Sequence, residues 1–158
     1  MKDYGAIAEG YFRRGCSCAQ SVAAAFSEEL GMPEEQVLRM LSGFGAGFGR
    51  LREVCGGFSG LTFVISTLYG SADPAKKGEI YAIIQGLAAE FKARSGGSLR
   101  CKELLGLEQP EGSAVPSQRT ADYYASRPCP ALVRMGAELC GAYLEAHPVD
   151  ARDGARSD

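Results

Sequence analysis

Apolar residues recur along this chain at intervals of three and four, the spacing of helices buried on one side. Ala19, Val22, Ala23, Phe26 and Leu30 form one such stripe. Ser17 precedes it with Gln20 three positions on, a capping pattern that starts a helix at Cys18, and Gly31 ends it. Residues 3–14 read as a shorter helix weakened by glycine. Pro33 opens the next helix, with Val37, Leu38, Leu41 and Phe44 as its apolar side. After a glycine-rich break the period resumes at Val54, Phe58, Leu61, Ile65 and Leu68. The β-branched run LTFVIST would also suit a strand, but the sustained period predicts a helix. Asp73 and Pro74 open a long helix lined by Ile80, Ile83, Ile84, Leu87, Ala88 and Phe91, which Gly96 and Gly97 close. Ser98 caps a short helix with Cys101 at its third position. Residues 106–127, rich in Pro, Gly, Ser and Glu, read as a loop with a helical turn near Tyr123. Pro130 begins the last helix, with Cys129 at its N-cap and Val133, Ala137, Cys140 and Leu144 on its buried stripe.

Alternating strand and helix signals are missing, which argues against a doubly wound sheet. The expected class is all-α: a compact single-domain bundle of about five or six helices over residues 1–147. A polar tail over 148–158 is expected to be disordered.

Charge and composition narrow the function. The net charge is -2 and the pI about 5.5, so the chain lacks the basic footprint of a nucleic-acid binder. The N-terminal MKDYGAIAEG has no apolar signal core, and the weakly polar run from Gly56 to Gly70 is too short to span a bilayer. The expectation is a soluble, cytoplasmic protein without membrane insertion. His147 is the single histidine, so Cys–His catalysis has little to work with.

The stretch Gly43–Gly60, GFGAGFGRLREVCGGFSG, has glycine at seven of its positions and Cys55 near its centre. Its first half resembles a phosphate loop in composition alone, with neither a preceding strand nor a Walker lysine. On the helix that follows, Cys55, Gly56, Ser59 and Gly60 share a small-residue face, where another backbone or a cofactor can come close. Gly56, Gly57, Gly60 and Arg50 are therefore candidate cofactor contacts. Arg50 and Arg52 could balance a thiolate or an anionic cluster, or could be solvated.

Six cysteines, at 16, 18, 55, 101, 129 and 140, need a reason in a reducing compartment. No CxxC is present, which argues against a thioredoxin motif and a zinc ribbon, and no CxxCH, which argues against attached haem. Cys18, Cys101 and Cys129 fall in the first turn of an expected helix, and Cys55 closely follows a break. Unpaired N–H groups and the dipole there favour a thiolate, the form that attacks disulfides and ligates metals. Cys140 lies on an apolar stripe and reads as core. Cys16 could be a spare thiol, a resolving partner or a substitute ligand.

These pieces resemble the redox-active family named for its cysteine pattern, C-GCAxxG-C-C. The matching segments are CAQSV from Cys18, the glycine-rich stretch through CGGFSG, CKELLG from Cys101 and CPALV from Cys129, in order over residues 8–144. One departure is visible: the family's CGAxxG reads CGGFSG, with Gly57 in place of alanine. The resemblance implies that Cys18, Cys55, Cys101 and Cys129 are the working cysteines. A related domain stands beside haem in split-Soret cytochromes, where an iron–sulfur centre is implied, so metal ligation follows as an expectation. Three readings stay open. In the first, the four cysteines ligate an iron–sulfur cluster and exchange electrons with a redox partner protein. In the second, Cys55 forms a reversible disulfide with another of the four. In the third, a zinc ion held by four cysteines fixes the fold of a non-enzymatic adaptor.

Overall fold

The computed structural model describes residues 2–149 and is all-α, with no strand among those residues. Ten α-helical segments follow one another there: α1 Tyr4–Arg13, α2 Cys18–Ala24, α3 Ser27–Leu30, α4 Glu34–Met40, α5 Gly45–Phe48, α6 Gly56–Tyr69, α7 Lys77–Ser95, α8 Cys101–Leu104, α9 Ala121–Ser126 and α10 Cys129–Ala146. The count exceeds the expected five or six because two stripes are interrupted and two loops contain short helical turns. No helix among the described residues is long and apolar enough to cross a membrane. The tail expected over 148–158 lies, apart from Pro148 and Val149, outside the described residues.

The core forms where α1, α2, α6 and α10 pack against one another, with α7 laid across α6 and α10. Phe12, Val22, Phe26, Leu61, Ile65, Phe91 and Val133 are fully buried there. Each contributes roughly 1.5–3 kcal/mol relative to an exposed side chain. Close packing depends on the small face of α6. A Cβ at Gly56 would come within 2.6 Å of the Cys18 Cβ, and one at Gly60 within 2.7 Å of the Ala19 carbonyl oxygen. Gly57 faces the other way, and its carbonyl lies against Gly136 of α10. α6 is thus wedged between α2 and α10 by glycines facing both.

Four expectations need correction. The short helix expected to follow a Ser98 cap, with Cys101 third, begins at Cys101 itself, with Arg100 as its N-cap and no side-chain cap bond. The stripe from Ala19 to Leu30 is not one helix. The chain kinks at Phe26, whose φ of -110° leaves the helical region, and resumes as α3. Phe44, expected on a buried side, is 41 % exposed, because α4 stops at Met40 and the chain turns before the next helical contact. Val54, expected within the helix of Cys55, pairs instead with Arg100 in an isolated antiparallel bridge.

The expected capping box is present. The Gln20 amide donates to Ser17 Oγ at 3.3 Å, and the Ser17 amide donates to Gln20 Oε1 at 2.9 Å. The Gln20 side-chain amide also donates to the Leu38 carbonyl at 2.8 Å, tying α2 to α4. Ser17→Ala should therefore lower stability by about 1 kcal/mol. A shift in the chemical denaturation midpoint at unchanged slope would register it. An unchanged midpoint would mean that the cap contributes nothing.

Candidate cysteine site

Each of the four family-like cysteines sits where a helix begins. Cys18, Cys101 and Cys129 are the first residues of α2, α8 and α10, and Cys55 is the N-cap of α6. A short backbone clasp joins the middle two. The Cys55 amide donates to the Leu99 carbonyl at 2.7 Å, the Cys101 amide to the Glu53 carbonyl at 2.6 Å, and the Lys102 amide to the Arg52 carbonyl at 3.0 Å. Cys18 reaches the same place because the glycine face of α6 lets α2 approach, and Cys129 because Gly136 lets α10 do so. All four cysteines line a single cavity of about 460 Å³. Gly56 and Arg50 line it too, whereas Gly57 and Gly60 spend their lack of a side chain on helix packing.

The glycine-rich segment forms one wall through a run of left-handed backbone. Ala46, Gly47, Phe48, Gly49, Arg50 and Arg52 all have φ between 54° and 68°. Four of these are not glycine, and such conformations each cost of order 1 kcal/mol or more. Gly47 is required as glycine twice over: its φ is +68°, and a Cβ would meet the Glu53 amide nitrogen at 2.5 Å. The curl points Arg50 and Arg52 inward while leaving Leu51 63 % exposed.

Guanidinium groups surround the sulfurs. Arg52 is only 4 % exposed, so it is no solvated surface residue. It grips both Glu111 oxygens, at 2.9 and 2.7 Å, and its third nitrogen lies 3.7 Å from Cys101 Sγ. Arg50 donates to the Ser113 carbonyl at 3.0 Å and to Ser117 Oγ at 3.3 Å. Arg119 donates to the carbonyls of Phe12 and Cys16 and lies over the Phe12 ring. Arg127 lies over Tyr123. The last two arginines, Tyr123 and Glu111 escape a sequence reading of the site because they fall in an aperiodic loop. Charged residues within a Pro- and Gly-rich segment are their one local signal.

The thiols differ in acidity. The Cys18 thiol donates a hydrogen bond to the Cys129 sulfur. That bond, aided by Arg127, Arg52 and Arg119 and against the effect of burial, holds Cys129 down to about 7. The same bond, followed by burial, pushes Cys18 up. Burial pushes Cys55 up to about 12, opposed in part by the Gly57 and Phe58 backbone amides. Burial also raises Cys101, partly offset by Arg52. The expectation that every helix start would lower its cysteine is therefore not met: Cys129 alone is lowered, and by Cys18 and the arginines. Loss of water outweighs a helix dipole at Cys55 and Cys101, and the bond to Cys129 comes before burial at Cys18. Glu111 is held at about 2, first by the Arg52 hydrogen bonds. Its ion pair is thus complete above the ordinary glutamate range and is lost as pH falls through about 2.

The remaining candidates lie elsewhere. Cys140 is fully buried in the core and its thiol is raised by burial. Cys16 is half-buried and does not line the cavity, though its carbonyl accepts from Arg119. His147 stacks on Tyr143 at the end of α10. All six cysteines are free thiols.

Among the described residues, no three His, Cys, Asp or Glu side chains are grouped so as to hold a metal ion. The side chains as placed do not fit a compact tetrahedral zinc, whose sulfurs would all stand about 2.3 Å from one point. Four sulfurs do line one cavity, with guanidiniums around it and an Arg52 nitrogen 3.7 Å from Cys101 Sγ.

A family model described as "Putative redox-active protein (C_GCAxxG_C_C)" matches residues 16–143. No curated protein and no solved structure matches the chain.

Proposed function

The chain belongs to the C_GCAxxG_C_C family, and on that premise we propose that it is an electron carrier whose Cys18, Cys55, Cys101 and Cys129 hold an iron–sulfur cluster. The observation that carries this reading is the shared cavity. Four cysteines spread over more than a hundred positions of sequence line one space, with Arg50, Arg52, Arg119 and Arg127 around it. Thiolate-ligated clusters are anionic, and hydrogen bonds and charge near the sulfurs set their potential. When bound, the cluster supplies one-electron chemistry. The chain supplies ligands, counter-charge and a partly buried setting, and a redox partner protein exchanges the electrons. The structural zinc reading loses ground, because the sulfurs are not gathered about one point.

One contact favours a second reading. Cys18 and Cys129 act on one another's acidity more strongly than any other group does. In metal-free protein, a small oxidised disulfide could take two electrons from this pair. Two S–H bonds and the oxidant's S–S bond would be broken, one protein S–S bond formed, and the two protons and two electrons passed to the oxidant, which leaves as two thiols. Cys55 is less suited to that role, being buried and raised.

An anaerobic absorption spectrum with iron, sulfide and zinc analysis tests the proposal. Visible charge-transfer bands with matching iron and acid-labile sulfide are expected. Stoichiometric zinc without sulfide would overturn it. Metal-free protein that reversibly loses two thiols on mild oxidation would favour the second reading.

A further inference from the structure

The cysteine cavity is covered on one side by a segment whose own attachment is weak. Residues 107–120 contain no helix, and none of them is buried. Ala114, Pro116, Ser117 and Arg119 face the cavity, while Val115 between them is 71 % exposed. The segment therefore spans the opening as a strap and contributes nothing to the apolar core. Segments with few buried apolar contacts open at the low end of a protein's stability range.

Polar contacts hold the strap down, and most converge on two residues of the curled wall. Glu111 is clamped by Arg52 and approached by Arg50 at 3.5 Å. Arg50 also takes the Ser113 carbonyl and Ser117 Oγ. Gly106 enters the strap with φ 69°, and Gly112, at its middle beside Glu111, has φ 72°. At the far end Arg119 is fixed to the Phe12 and Cys16 carbonyls. The framework half of the clamp cannot follow the strap outward. Arg52 is buried, and its amide and carbonyl are bonded to Ala46 and Lys102.

We propose that residues 107–118 form a lid over the cysteine cavity, that Glu111 is its latch on Arg52 and Arg50, and that reagents reach the buried Cys55, Cys101 and Cys129 when this latch releases. The proposal rests on the cavity and not on what fills it. Arg52 gives the latch a direct link to the site, because the guanidinium that grips Glu111 also touches Cys101.

Metal-free, reduced protein is alkylated with iodoacetamide under anaerobic conditions, and the rate at each cysteine is read by peptide mass spectrometry. Glu111→Gln keeps the side chain's size and removes its charge. Alkylation of Cys101 and Cys129 should rise on the order of tenfold, the factor that ~1.4 kcal/mol of lost latching corresponds to. Cys140, in the core, should keep its wild-type rate. Glu108→Gln is the control on the same strap, since among the described residues Glu108 makes no ion pair, and it should change nothing. Arg50→Ala is a second route to the same opening and should speed the same cysteines. Unchanged rates in both Glu111→Gln and Arg50→Ala would overturn the lid. Equal acceleration at Cys140 would overturn it too, because the ion pair would then hold the whole fold and not a lid. Failure of the protein to load iron would leave this readout intact, so the lid and the cluster fail separately.

Discussion

Cys55→Ser, purified and reconstituted without oxygen, should lose most of its bound iron and sulfide and melt on the order of 5–10 °C below the wild-type holoprotein. A ligand present at about a hundred times its dissociation constant stabilises the folded state by about 2.7 kcal/mol. For a domain of this size, each kcal/mol corresponds to roughly 2–4 °C. The same loss is expected for Cys18→Ser, Cys101→Ser and Cys129→Ser, because the four sulfurs line one cavity and none has a substitute there. Cys16 lies outside that lining. Cys140→Ser should keep full iron. It should still lose about 1–3 kcal/mol, since it places a hydroxyl in the apolar core. The disulfide reading gives a different pattern. Only Cys18→Ser and Cys129→Ser would matter, and the reduced proteins would melt as wild type. Each would retain one cavity thiol on oxidation that the wild type loses. Iron retained in all four variants, with no change in oxidised thiol count, would sink both readings.

The sequence carries the parts of this site that repeat locally. The Ser17–Gln20 cap, the helix start at Cys18 and the placing of Cys101 and Cys129 within a turn of a helix start are short-range patterns, and the structure has them. Kinks at single residues are less readable. Phe26 has the right apolar character for a continuous stripe, yet its backbone leaves the helical region there. Phe44 fails for a related reason: periodicity cannot tell that a helix ends four residues early. The electrostatics of the site lie furthest from view. Arg52 and Glu111 are 59 positions apart, and neither sits on a periodic segment. Their pairing depends on the left-handed curl of residues 46–52, which non-glycine residues rarely adopt. Acidity is hidden for the same reason. Helix position is legible in sequence, but the burial that outweighs it at Cys55 is a property of the assembled core.

Alanine at two helical glycines should move stability in opposite directions. Gly136 faces the Gly57 carbonyl across the α6–α10 contact, and an added Cβ would overlap that oxygen. Both obstructing groups are backbone within long helices, so neither can swing aside as a side chain would. Overpacking of this kind costs about 1–3 kcal/mol or more. Gly86 lies in the interior of α7 with no heavy atom within 4 Å of the same added carbon. There alanine relieves the entropy cost of glycine and should stabilise by about 0.5–1 kcal/mol. The difference reaches the site, because α10 begins at Cys129 and α6 is capped by Cys55. Forcing the two helices apart at Gly136 displaces those sulfurs relative to each other, so Gly136→Ala should bind less iron per folded molecule as well as melting lower. Gly86→Ala should bind the wild-type amount. Thermal unfolding of both variants in the reduced, metal-free state isolates packing, and reconstitution afterwards reads the site. A Gly136→Ala protein as stable as wild type, with full iron, would show that the helix contact is loose and that the cavity owes its shape to the curled wall and the strap alone.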